Sequence, residues 1–173
     1  VYRVHDVPDP DKIGDFSRFV KQFGHQMIMK TTKDITNSIN RVLADVSGKR
    51  EENIVELLAI RTMSKAKYTT ENIGHYGLGF QYYTHFTSPI RRWPDVMVHR
   101  LLQHYLDGEN IKNIEAIEAQ CKHSSEMEKL STDAERSSVK YMQVKYLEGK
   151  EGQEFNALIS GVTEFGMFVE LED

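Results

Sequence analysis

The stretch HYGLGFQYYTHFTSPIRRWPDVMVHRLL, residues 75–102, changes its period midway, and that change decides the fold class. In its first half Tyr76, Leu78, Phe80, Tyr82 and Phe86 fall on one face, and Gly77, Gly79, Gln81, Tyr83 and His85 on the other. Such alternation predicts a strand with one buried side and one small, polar side. Glycines inside a strand mark close approach of a ligand or backbone, or else a bulge or a tight helix contact. From Ser88 the period lengthens. Ser88 suits a helix cap and Pro89 the first helical position, with Ile90, Trp93, Met97 and Leu101 as the core stripe.

Two adjacent arginines, Arg91 and Arg92, then stand on the first turn of this expected helix. A helix start carries partial positive charge and unpaired N–H groups, so cations there oppose it. Thr87 and Ser88 add hydroxyl donors, and only Asp95 balances them. A helix start, arginine forks and short hydroxyls together suit a phosphate. A surface pair of Arg91 with Asp95 at i, i+4 is the competing reading. It is worth roughly 0.3 kcal/mol and leaves Arg92 against the dipole. Tyr83 and His85 on the non-core face add stacking surfaces, and aromatics beside arginines are what single-stranded nucleic acid requires. A phosphorylated protein or a small phosphate ester fits the arginines equally well and the stacking groups less well.

Outward from this stretch the chain is mainly helical. "VPDPDKIGDFSRFVKQFG" opens on Asp9 as cap and Pro10 at the first position, and Ile13, Phe16, Phe19 and Val20 share a face that ends near Gly24. Asp9, Asp11 and Asp15 read as caps and dipole partners rather than as a metal site. A second helix ends near Gly48. A third carries Ile54, Leu57, Leu58 and Met63 on its core face. From Ile111 to about Gly149 runs a long helix or helix pair, with Ile114, Ile117, Cys121, Leu130, Ala134 and Tyr141 roughly on one side. Phe155, Leu158 and Ile159, then Phe165, Phe168, Val169 and Leu171, predict two short strands. The fold class is α+β, mainly helical.

Composition limits the function. The 173 residues are 39% hydrophobic and 28% charged, with 22 Lys+Arg against 26 Asp+Glu, a net charge of −4. The chain is no basic arm, so any nucleic-acid contact must come from a local patch. One Cys excludes an internal disulfide, which makes an intracellular, cytoplasmic protein the default. No apolar run is long enough to span a bilayer. No His/Cys cluster has zinc spacing. The opening "VYRVHDV" and the closing "FGMFVELED" both read as the middle of something, so a segment of a longer protein is expected.

The Thr84–Leu102 motif strongly resembles the signature near the end of the catalytic domain of the ribonuclease R / ribonuclease II (RNB) family, nearer its ribonuclease R branch. "VYRVHDVPDP" is similar to a mid-domain stretch of that family. "GVTEFGMFVEL" resembles the first hairpin of an S1 domain, an OB-fold RNA-binding barrel. The resemblance implies the C-terminal part of an RNB catalytic domain over residues 1–150 and the first strands of an incomplete S1 barrel over 151–173. It further implies a processive 3′→5′ exoribonuclease that hydrolyses single-stranded RNA to nucleoside 5′-monophosphates. Mg2+ is the implied cofactor, held by aspartates outside this segment, and no metal ligand falls within it. By the same resemblance Arg91 holds phosphate near the scissile bond, Arg92 matches a basic position, and Glu135 aligns with an acidic residue near the catalytic cavity. Phe165 and Phe168 match S1 aromatics that stack on bases. Tyr83, His85, Thr87 and Ser88 complete the expected RNA contacts. The alternative is a non-catalytic RNA-binding module that uses the same donors only to hold phosphates. No membrane role is expected, and the sequence names no protein partner.

Overall fold

A computed structural model of the chain describes residues 1–110 and 113–171. They fall into two compact units, Val1–Lys129 and Leu130–Asp173.

In the first unit a strand, β1 (Tyr2–Val4), precedes three helices, α1 (Pro10–Lys21), α2 (Thr32–Val46) and α3 (Glu52–Thr62). The Asp9 carboxylate accepts from the backbone N–H groups of Asp11 and Lys12, and Pro10 sits in the first turn as expected. A capping box starts α2: the Thr31 hydroxyl accepts from Asp34 N–H, and the Asp34 carboxylate accepts from Thr31 N–H. The three helices close one core of Ile13, Phe16, Val20, Ile39, Val42, Val46, Val55 and Ala59. Each of the Ile, Val and Phe side chains contributes about 1.5–3 kcal/mol on full burial. The face of α3 differs from the expectation. Val55, Ala59 and Thr62 are its buried residues, while Ile54, Leu58 and Met63 are only partly buried against the core. α3 packs against both α1 and α2. Smaller residues on the central line let it approach, and the larger ones fill the flanks.

A second strand, β2 (Lys67–Thr69), pairs antiparallel with β1, Tyr2 opposite Thr69 and Val4 opposite Lys67. This ribbon carries Tyr68 into a smaller buried cluster with Met97 and Cys121. Met97 lies on α4 (Trp93–Leu106) and Cys121 on α5 (Ile114–Leu147). β2, α4 and α5 therefore meet at one point, and the candidate site is built over it.

Residues 76–86 are not a strand. Tyr76–Leu78 forms one short 3-10 turn. Gly74 (φ +78°) and Gly79 (φ +68°) adopt left-handed backbone and fold the chain back on itself. His75 N–H donates to Phe80 C=O at 2.8 Å, Tyr76 N–H to His5 C=O at 2.8 Å, and Arg3 N–H to Tyr83 C=O at 2.8 Å. The loop is thereby clasped along the first residues of the chain. Because the backbone turns, the alternate residues share no face, and Leu78, Phe80, Tyr82 and Phe86 are exposed rather than buried.

The helix start also moves. α4 begins at Trp93 with Arg92 as its cap residue and Pro94 in its first turn, not at Ser88–Pro89. Ser88–Arg92 forms a separate turn, with the N–H groups of Arg91 and Arg92 donating to Ser88 C=O at 3.3 and 3.1 Å. Two Ser/Arg-plus-Pro starts compete in this sequence, and the buried carboxylate of Asp95 favours the later one by bonding back to Ser88. Of the expected stripe Met97 is buried and Leu101 half-buried, but Trp93 is exposed and Ile90 stands at 102% exposure.

α5 is one continuous helix; its expected start at Ile111 lies outside the described residues. Cys121 is fully buried and Ile117 half-buried, whereas Ile114, Leu130, Ala134 and Tyr141 are exposed, so the expected apolar side holds only near residues 117–121. In the second unit β3 (Ala157–Thr163) and β4 (Gly166–Leu171) form the expected antiparallel hairpin, with an irregular register between Ile159 and Gly161. Among the described residues no helix is long and apolar enough to cross a membrane.

Candidate nucleic-acid interface

Asp95 organises the turn that carries the arginines. It is 0% exposed. Its Oδ2 accepts from Ser88 N–H at 2.7 Å and from Arg92 Nη2 at 2.9 Å. Burial alone would raise the carboxyl's pKa, but the Ser88 N–H, the Arg92 guanidinium and the nearby His85 together hold it below the ordinary aspartate value. The ion pair is thus Arg92 with Asp95, not the Arg91–Asp95 pair of the competing i, i+4 reading. Arg91 is exposed and makes no side-chain hydrogen bond or ion pair with any described residue. Asp95 compensates Arg92, and the uncompensated charge of the turn resides on Arg91. The start of α4, with Asp95 in its first turn, supplies its own anion. The capacity to hold an external phosphate therefore lies on side chains rather than on the helix dipole.

Next to this turn lies His85. Its Nδ1 is 2.8 Å from the Tyr68 hydroxyl, and the two rings meet edge-on at 5.6 Å. The Arg3 guanidinium lies over the Tyr68 ring, 4.5 Å from its centroid. Arg3 is in turn held by both oxygens of Glu128, at 2.6 and 3.0 Å. Burial, then the charges of Arg92 and Arg3, lower the pKa of His85 below the usual imidazole range. Burial is also the main cause that raises the Tyr68 phenol. Tyr83 packs edge-on to His85 at 5.7 Å and to His75 at 5.1 Å, and His75 stacks on His5 at 5.1 Å. The result is a continuous row of imidazole and phenol rings leading to the arginine turn. His99 on α4 anchors that turn from the opposite end. It stacks flat on Phe86 at 4.0 Å and its Nε2–H donates to Phe86 C=O at 2.8 Å.

Several buried polar atoms here lack partners among the described residues: Thr84 Oγ1, Arg92 Nε and Asp95 Oδ1. Leaving such groups unsatisfied costs about 1–3 kcal/mol each, and the three flank one turn. Beside the ring row runs a groove of about 860 Å3 lined by His5, Thr36, Asn72, His75, Tyr76 and Phe80, among others.

Of the sequence-derived residues, Tyr83, His85, Thr87, Ser88, Arg91 and Arg92 share this one segment of the first unit. Thr87 is exposed; Ser88 is half-buried, with its backbone N–H committed to Asp95. Glu135, Phe165 and Phe168 belong to the second unit. Glu135 is exposed on α5. Phe165 at the hairpin tip is 99% exposed, and Phe168 on β4 lies against Gly161 of β3 at 3.6 Å from where a Cβ would stand. Sequence reasoning missed Arg3, Tyr68 and Glu128. Arg3 and Glu128 stand 125 residues apart, and no local spacing announces such a contact. The role of Asp95 had a signal in its i+3 spacing from Arg92. Among the described residues no three His, Cys, Asp or Glu side chains converge as a metal site.

A family model described as "RNB domain" matches residues 1–108. Ribonuclease R of Aquifex aeolicus (strain VF5) is 39% identical over 176 residues, covering 100% of this chain and 25% of its own length. The solved structure of Mycoplasma genitalium RNase R in complex with ribose methylated single-stranded RNA aligns with a TM-score of 0.82 at 27% identity, over 99% of this chain and 28% of its own. Yeast Ssd1, a pseudonuclease, aligns with a TM-score of 0.59 at 25% identity, over 71% of this chain and 16% of its own. The chain spans about a quarter of the length of the curated relatives it matches.

Proposed function

The chain belongs to the RNB-domain family, and on that premise we propose that it is part of a processive 3′→5′ exoribonuclease that hydrolyses single-stranded RNA to nucleoside 5′-monophosphates. In this reading residues 1–150 are the C-terminal part of the catalytic domain and residues 151–173 the first strands of an S1 domain. The observation that carries the reading is the uncompensated Arg91 on a turn whose other charges are paired, next to a row of stacking rings. Hydrolysis of a phosphodiester adds negative charge to the non-bridging oxygens as the attacking water arrives. A guanidinium already fixed beside those oxygens stabilises that charge without reorganising. Arg91 takes this role. Arg92, tied to Asp95, holds the turn and contributes a weaker positive field. Tyr83 and His85 offer ring faces and polar edges to the last nucleotides, and Thr87 and Ser88 offer hydroxyls to the backbone. Glu135 is assigned an acidic role near the cavity. Phe165 and Phe168 offer their exposed rings for stacking on bases.

RNB-family ribonucleases are metal-dependent, and we assign Mg2+ to this one. By the family resemblance its ligands are aspartates outside this segment, and no step is routed through the ion here. The protein is placed in the cytoplasm. A second reading, a non-catalytic RNA-binding module, is favoured by one observation: a protein of similar fold, yeast Ssd1, is a pseudonuclease. The full-length protein, supplied with Mg2+ and 5′-labelled single-stranded RNA, is expected to shorten the strand from its 3′ end and release monophosphates. The 173-residue chain alone is expected to do neither. RNA binding without cleavage by the full-length protein supports the second reading and refutes the first.

A further inference from the structure

Tyr68 has no place in the chemistry described above, yet it is 4% exposed and makes a defined contact with a residue that does. Its phenol oxygen lies 2.8 Å from His85 Nδ1. Either atom can donate across that distance, but the two choices are not equivalent. If Nδ1 carried the proton, the buried phenol hydrogen would need another acceptor, and among the described residues none is within hydrogen-bond distance. If the phenol donates, both groups are satisfied. The imidazole is then neutral with its proton on Nε2, the ring position that no described residue occupies.

The surroundings point the same way. His85 is flanked by Arg92 and Asp95 at the start of α4, by Arg3 on β1, by Glu128 on α5, by Tyr68 on β2 and by Tyr83 on its own segment. Arg92 and Asp95 are paired with each other, and Arg3 and Glu128 likewise. The ring is left with no carboxylate of its own to stabilise an imidazolium. Tyr68 is fixed from three directions: its backbone N–H donates to Ser125 Oγ at 2.9 Å, its ring lies beneath Arg3, and its strand pairs with β1. We propose that Tyr68 is a positioning residue that holds His85 as a neutral imidazole and presents its Nε2–H as a hydrogen-bond donor to a backbone oxygen of bound RNA. This inference rests on the RNA reading of the site. It gives His85 a donor role distinct from stacking, and it assigns the cationic work of the turn to the arginines alone.

The test uses the full-length protein with four variants, read by kcat/KM and by Kd for single-stranded RNA. Tyr68→Phe keeps the ring under Arg3 and removes only the hydroxyl, so His85 can place its proton on Nδ1. About a tenfold loss is expected, the worth of one correctly presented hydrogen bond. His85→Gln loses the ring face but sets an amide N–H near the position of Nε2, and is expected to lose about threefold, less than the Asn variant. His85→Asn reaches only the Nδ1 position and is expected to lose about tenfold. In the His85→Gln background, Tyr68→Phe is expected to cost less than about twofold, because the tautomer it controls no longer exists. Equal cost of Tyr68→Phe in both backgrounds would show a purely structural role and overturn the proposal. So would a Gln variant as impaired as the Asn variant. If the wild-type protein binds RNA but does not cleave it, the exoribonuclease reading fails, while the Kd pattern across the same variants still decides the role of Tyr68. If it does not bind RNA either, both fall.

Discussion

Replacing Asp95 by Asn probes the arrangement that leaves Arg91 unpaired. The substitution keeps the shape of a fully buried side chain and removes its charge. Both of its bonds, from Ser88 N–H and from Arg92 Nη2, fall on the same oxygen, Oδ2. An Asn carbonyl at that position retains both bonds, the one from Ser88 N–H now neutral and the one from Arg92 Nη2 no longer an ion pair, with its NH2 placed where Oδ1 now lacks a partner. What is lost is the charge assistance of two bonds and the counter-charge to Arg92. Charged hydrogen bonds exceed neutral ones by about 1 kcal/mol each, so the turn loses about 2 kcal/mol. Amide hydrogen exchange at Ser88 reads this directly, and 2 kcal/mol corresponds to roughly a 30-fold loss of protection at neutral pH. The acid limb supplies a second check. The folded pKa of Asp95 lies below its unfolded value. Its stabilisation is therefore complete above the unfolded value of about 3.9 and is lost as pH falls through the folded one. Wild-type Ser88 protection should fall on acidification through that window, and the Asn variant should show no such step. Unchanged protection in the variant at pH 7, or the same acid step in both proteins, would refute this account of the turn.

Two further outcomes follow from single residues. Burial pushes the Cys121 thiol up to about 11, so native protein at pH 8 should resist alkylation by iodoacetamide and react readily in denaturant; equal labelling of the two states would contradict it. Phe165→Ala and Phe168→Ala in the full-length protein should each weaken single-stranded RNA binding by about 1 kcal/mol or more while leaving the melting temperature nearly unchanged, because both side chains are exposed. Filter binding that shows no change in either variant would remove them from the RNA path.

Legibility in the sequence followed the range of the interactions. Asp9–Pro10 announced α1 because a cap, a proline and an apolar face at i, i+3 and i+7 all act within one helix. The β3–β4 hairpin was equally local. Residues 76–86 read as a strand because alternation is a necessary property of strands and not a sufficient one. The left-handed glycines at 74 and 79 cancel it by reversing the chain. The start of α4 was misplaced for a related reason. Ser88–Pro89 and Arg92–Trp93–Pro94 satisfy similar start rules, and the choice is made by a bond from Ser88 to Asp95 that crosses seven residues. At the candidate site, the proximity of Arg91, Arg92, Tyr83 and His85 was legible because they lie within ten residues of one another. Tyr68, Arg3 and Glu128 were not, since β-pairing and the packing of α5 bring them together from positions more than fifty residues apart.

In the proposed function the one uncompensated guanidinium of the turn, Arg91, acts on the reacting phosphate rather than on RNA in general. Single-turnover cleavage of single-stranded RNA by full-length Arg91→Ala, measured beside its Kd for the same RNA, tests it most directly. The cleavage rate should fall by about 10²- to 10³-fold, while affinity changes by only about threefold, since one phosphate contact is a small share of binding. Equal losses in rate and affinity, or a cleavage rate left intact, would contradict it.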